Sequence, residues 1–145
     1  GTVRALSEEV RLQVISRLEE LRDGMDRSFG VRSELVWQGG VPVCLNHEAV
    51  SRFLHAVAVD LFGESKVSYL QPAMGAEDFA LFARARPSAI FRLGCRKGQQ
   101  APYAPLHSPH FDLDESCLMT GVRLFTEAAK RFLSIDGLPS DSARF

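Results

Sequence analysis

Residues 2–6 alternate in the manner of a strand, and Ser7 followed by Glu8 and Glu9 supplies an N-cap with acids in a first helical turn. Apolar residues then recur at Val10, Val14, Leu18, Leu21 and Met25, with Arg11, Arg17, Glu19, Glu20 and Arg22 on the other faces. That spacing predicts an amphipathic helix with one buried stripe, ended by Gly30. Residues 31–38 alternate again, setting Val31, Ser33, Leu35 and Trp37 against Arg32, Glu34, Val36 and Gln38, and predict a second strand closed by Gly39-Gly40. Pro42 and Asn46 punctuate the chain, so the domain boundary is placed between them. Asn46 then caps a helix carrying Val50, Phe53, Leu54, Val57 and Leu61, which Gly63 ends.

Beyond it, residues 66–70 read as a short strand, 71–75 as a loop and 77–85 as a short helix stopped by Pro87. Residues 88–93 are apolar and of a length for a buried strand. The stretch 94–110 holds prolines, Gly98 and no periodicity, which marks a surface or functional loop. Asp114 caps a final helix through Leu118, Val122, Phe125, Ala129 and Phe132, and residues 136–145 read as a frayed tail. The expected fold class is α/β.

Composition narrows the function. In 145 residues, 17 Lys and Arg stand against 18 Asp and Glu, a net charge of −1, and 46% are hydrophobic. A balance so near zero leaves no basic footprint for nucleic acid or an anionic membrane. No apolar run approaches the length of a spanning helix, so the expected location is cytoplasmic. Cys44, Cys95 and Cys117 form no C-x-x-C pair and read as buried or half-buried free thiols. Gly1 in place of Met, directly before a strand pattern, reads as the start of a piece of something longer.

Two clusters carry candidate chemistry. In Met74-Gly75-Ala76-Glu77-Asp78-Phe79 a Gly-Ala turn leads into a helix opened by two acids, which the helix dipole alone would favour. In residues 106–115 two histidines, His107 and His110, stand among Asp112, Asp114 and Glu115. Neutral imidazole beside carboxylates is the equipment of a transition-metal site, while the plain alternative makes the acids turn and cap residues and the histidines exposed. Pro109 separates His107 from His110, and His47 and His55 lie elsewhere on a helix, so no complete metal site is visible.

Taken in order, Gly1-Thr2-Val3-Arg4 with its Ser-Glu-Glu helix start, Pro42 to Asn46, Met74 to Phe79, Phe91-Arg92-Leu93-Gly94, and Leu106-His107-Ser108-Pro109 with its acids resemble the C-terminal part of a family. It is that of the metal-dependent amidohydrolases that include hippurate hydrolase, aminoacylase and the hydrolases of indole-acetyl amino acids. The resemblance implies that residues 1–43 are the back half of an α+β lid, or dimerisation, domain. Residues 44–135 would be the C-terminal part of an α/β zinc-peptidase-like catalytic domain, followed by the tail 136–145. It implies that His107 is the last metal ligand, with His110 at a position where the motif does not require histidine. Gly75, Glu77 and Asp78 would be positioning or substrate-binding groups.

The remaining ligands of the family and its general-base glutamate would lie upstream of Gly1, so no catalytic residue is expected within the chain. Pro87-Ser88 also departs from the family's usual Pro-Gly. The implied protein hydrolyses the amide bond of N-acyl amino acids or peptide-like conjugates with zinc or manganese, two ions in the full-length enzyme. It would form a homodimer through the lid, and the present piece would be inactive by itself. The competing expectation is a non-catalytic binding or dimerisation module built on the strand-helix-strand unit.

Overall fold

The structure, a computed structural model, describes residues 1–98 and 104–134. Its helices are α1 (Glu8–Phe29), α2 (Glu48–Phe62), a short 3-10 turn (Glu64–Lys66), α3 (Ala80–Ala85) and α4 (Ser116–Ser134). The chain divides into two compact units. One joins Gly1–His47 to Tyr69–Ser88, and the other joins Glu48–Ser68 to the described residues from Ala89 onward.

In the first unit, α1 is bounded as its sequence dictates. Ser7 accepts the Val10 N–H at 3.2 Å, and Gly30, at φ 64, turns its N–H back to the Asp26 carbonyl. The chain then returns along the helix in extended form. Ser33 donates its N–H and hydroxyl to the Asp26 carboxylate at 2.9 and 2.7 Å, and the Trp37 indole donates to Glu19 at 3.3 Å. The stripe expected to be buried is not: α1 has no buried residue, Val14 and Leu18 are half-buried, and Val10, Leu21 and Met25 are exposed. Periodicity identifies the face able to be covered, whereas burial needs an element to cover it. Ala80 at the start of α3 is the buried residue of this unit.

The second unit has a core where α2 meets α4. Val57, Ala58, Leu124 and Ala128 are buried, with Phe53, Leu54, Leu61, Phe62, Val67 and Phe91 packed around them. The α2 stripe read from the sequence is the one that packs. On α4 the expected stripe is displaced by one residue: Cys117, Gly121, Leu124 and Ala128 are buried, while Leu118, Val122 and Phe125 are exposed. Small residues let α4 approach its neighbours closely, and the larger apolar residues stay outside. Phe125 still meets Phe91 (ring centroids 5.2 Å apart), and Phe132 meets Phe53 edge-on at 6.3 Å. Arg131 on α4 joins the helices by bonding Asp60 of α2 at 2.5 Å and Glu127 of its own helix at 2.8 Å.

The α/β expectation fails in its strand half. Among the described residues no strand forms, including at 2–6, 31–38, 66–70 and 88–93. A strand exists only when successive N–H and C=O groups pair with a neighbour, and alternation specifies a face without specifying that neighbour. These segments make isolated bonds instead, such as His47 N–H to the Ser88 carbonyl at 2.9 Å. The 3-10 turn takes up the start of 66–70, with the Val67 N–H returned to Glu64. The short helix expected over 77–85 starts later, at Ala80, and Arg86 ends it in extended form before Pro87. The expected tail 136–145 and positions 99–103 of the expected 94–110 loop lie outside the described residues.

Candidate functional site

In the second unit, His107 sits within two successive β-turns. The Ser108 N–H donates to the Pro105 carbonyl at 3.0 Å, and the Phe111 N–H donates to the Ser108 carbonyl at 3.0 Å, so both turns share Ser108. Pro109, with φ fixed by its ring, suits the second position of the latter turn, and the Ser108 hydroxyl accepts the His110 N–H at 3.2 Å. His107 takes the third position of the first turn with φ 72, and is the described non-glycine residue with positive φ. Histidine is among the few side chains enriched there, yet the conformation costs an L-residue about 1–2 kcal/mol. His107 and His110 are both exposed.

The following residues anchor this double turn. Asp112 accepts the Leu113 N–H at 2.9 Å, and the Asp114 N–H donates to the Cys95 carbonyl at 2.8 Å. Asp114 also accepts the Ser116 N–H at 3.0 Å, the capping role expected of it. Hydrogen bonds from Ser116, with the Lys97 charge adding a smaller push, hold the Asp114 carboxyl below the usual range. The acids near the histidines therefore serve as turn and cap residues. Among the described residues no group of three or more His, Cys, Asp or Glu stands together to hold a metal ion.

The first unit holds Gly75, Glu77 and Asp78 in an exposed turn ahead of α3. Their expected place in the first helical turn is corrected: the Glu77 and Asp78 carbonyls accept the N–H groups of Ala80 and Leu81, at 3.0 and 3.1 Å, before the helix proper. Arg4 donates to the Met74 carbonyl at 2.7 Å and ties the start of the chain to this turn. Burial raises the Cys44 thiol, and the negative charge of Glu77 adds to the rise. Arg4 and Cys44 thus belong to the surroundings of the turn, which their sequence positions did not signal.

A family model described as peptidase family M20/M25/M40 matches residues 7–131. The chain belongs to this family. A Synechocystis protein named a probable hydrolase is 34% identical over 91% of the chain and 34% of its own length. An IAA-amino acid hydrolase of Arabidopsis thaliana is 30% identical over 92% of the chain and 30% of its own length. An N-acetyl-L-cysteine deacetylase of Bacillus subtilis is 27% identical over 92% of the chain and 30% of its own length. The chain spans about a third of the length of the curated relatives it matches. No solved structure matches it. Among the described residues, no helix is long and apolar enough to cross a membrane.

Proposed function

We propose that this M20-family chain is the C-terminal part of a metal-dependent amidohydrolase acting on N-acyl amino acids or similar conjugates, without activity of its own. The observation that carries the reading is the double turn at 105–111, which holds an exposed His107 in the left-handed region, at a cost to the backbone. Backbone strain of this kind collects at functional positions. The names of the relatives, hydrolase and deacetylase, favour amide hydrolysis.

In this reading residues 1–43 are the second half of the lid through which the protein forms a homodimer, and residues 44–135 belong to the catalytic domain. The compartment is the cytoplasm, in keeping with three unbridged thiols. An exposed imidazole on a turn pinned by its own hydrogen bonds fits a terminal ligand of a divalent ion, zinc or manganese, with two ions in the full-length enzyme. The chain supplies that one ring, and the other ligands and the general base come from the longer protein. A bound ion supplies polarisation of the scissile carbonyl and a more acidic water. Ser108 and Pro109 hold His107 in position, and Gly75, Glu77 and Asp78 contact or orient the substrate.

The test uses the full-length protein. His107→Ala should lower metal content and cut hydrolysis of an N-acetyl amino acid by at least about 100-fold, more than loss of an outer partner of a ligand costs. His110→Ala should do far less. Equal, small effects of the two substitutions would overturn the ligand role. Turnover by the 145-residue chain with added zinc or manganese would overturn the claim that it needs the rest.

A specific observation favours the second reading, a non-catalytic dimerisation module. Leu21, Met25 and Phe29 stand exposed along one side of α1, lining a shallow groove with Arg17 and Gly24. A concentration-dependent mass for the chain, abolished by Met25→Glu, would support that role and is compatible with the lid assignment.

A further inference from the structure

Residues 91–96 alternate in burial: Phe91, Leu93 and Cys95 are half-buried, and Arg92, Gly94 and Arg96 are exposed. The inward residues meet α4 in a regular register. The Phe91 ring stacks at a tilt on Phe125, and Leu93 lies so close to Gly121 that a Cβ there would stand 3.3 Å from its Cδ2. Each step of two along the extended segment advances about 6.6 Å. Each step of four back along the helix covers about 6 Å. Continuing from Phe91 on Phe125 and Leu93 on Gly121, the next pair is Cys95 on Cys117.

Two further observations agree with that pairing. The Cys95 carbonyl accepts the Asp114 N–H at 2.8 Å, and the Asp114 carbonyl accepts the Cys117 N–H at 3.0 Å, so the backbones of both cysteines converge on Asp114. Burial raises the Cys117 thiol, and electrostatic interaction with Cys95 adds to the rise. Both cysteines are free thiols.

We infer that Cys95 and Cys117 form a redox-responsive dithiol that closes to a disulfide in the presence of a small-molecule disulfide such as oxidised glutathione. A disulfide needs Cα atoms about 4.4–6.8 Å apart, and the register brings the two backbones alongside each other. Cys95 is the more accessible thiol and reacts first. Its thiolate attacks one sulfur of the oxidant, forming a mixed disulfide and expelling one thiolate. Cys117 then gives up its proton and attacks the Cys95 sulfur, expelling the second. Two protein thiols become one disulfide, the oxidant becomes two thiols, and those thiols carry away the protons. The bridge closes a covalent loop that includes His107 and its double turn. The inference stands on the register alone and does not depend on the role given to His107.

The test is thiol trapping on the 145-residue chain at low concentration across a titration with oxidised glutathione, followed by alkylation and tryptic mapping without reductant. Cys95 and Cys117 should lose alkylation together, at one midpoint, and appear as a linked pair of the peptides 93–96 and 98–123. Cys44 should stay alkylated, and dithiothreitol should restore both thiols. Cys44→Ser should leave the linkage unchanged, and Cys117→Ser should stop Cys95 at the glutathione adduct. Accumulation of that adduct without linkage in the unsubstituted chain would overturn the inference. So would a bridge to Cys44 or to a second chain, or two thiols that stay alkylatable throughout.

Discussion

The two long helices α1 and α4 both carry apolar residues at helical spacing, α1 on a more polar background, yet they end in different states. On α4, four residues at helical spacing are buried and the core of the second unit forms beneath them. On α1, whose caps are as well formed as any in the chain, no residue is buried. The difference lies in what stands opposite. α4 meets α2, whose Phe53, Leu54, Val57 and Leu61 face it, whereas α1 is accompanied by an extended return held through Asp26 and Glu19, polar groups at its rim. Caps and propensity delimit a helix, and packing against a second apolar surface gives most of its stability.

The largest effect that follows concerns the core. Leu124→Ala, at a residue 6% exposed, should cost about 2–5 kcal/mol in urea unfolding of the chain. Leu21→Ala, at a residue 62% exposed, should stay within about 0.5 kcal/mol. Comparable losses at both positions would mean that the α1 face is covered in solution, and the contrast between the helices would collapse.

Glycine sharpens the same contrast with opposite signs. Gly24 lies inside α1 with nothing within 4 Å of where a Cβ would stand, so Gly24→Ala should stabilise by about 0.5–1 kcal/mol through helix propensity. Gly121 lies against Leu93, and Gly121→Val should destabilise by about 1–3 kcal/mol through overpacking. Thermal unfolding of the two variants reads the signs directly. A neutral Gly121→Val would show that the 91–95 segment is not seated on α4.

The smallest effects are electrostatic. Asp26 and Asp114 both have carboxyls lowered by hydrogen bonds, from Ser33 and Ser116 respectively. A folded value below the unfolded one stabilises the fold above the ordinary carboxylate range, and this contribution is lost as pH falls through the lowered folded value. The Ser33 backbone N–H is the main cause at Asp26, and the Ser116 side chain is the main cause at Asp114. Ser116→Ala should therefore raise the Asp114 midpoint more than Ser33→Ala raises that of Asp26, followed by carboxyl NMR shifts. The reverse order would show that the Asp114 cap rests on backbone bonding.

Much of this molecule was legible in residue order. Ser7 and Gly30 mark the ends of α1 because a hydroxyl can accept an orphan N–H and only glycine enters the left-handed region at little cost. The packing stripe of α2, the capping role of Asp114 and membership of the M20 family were likewise written in local patterns and ordered motifs. Tertiary structure decided the rest. It left the alternating segments 2–6 and 31–38 without ladders, since a strand needs a neighbour that no local pattern names. It chose Cys117, Gly121, Leu124 and Ala128 over Leu118, Val122 and Phe125, because a helix apolar on two sides buries the side whose small residues allow closer approach. It also set Cys95 beside Cys117, two residues far apart in the chain whose proximity follows from the register of an extended segment along a helix and from nothing in either residue's own surroundings.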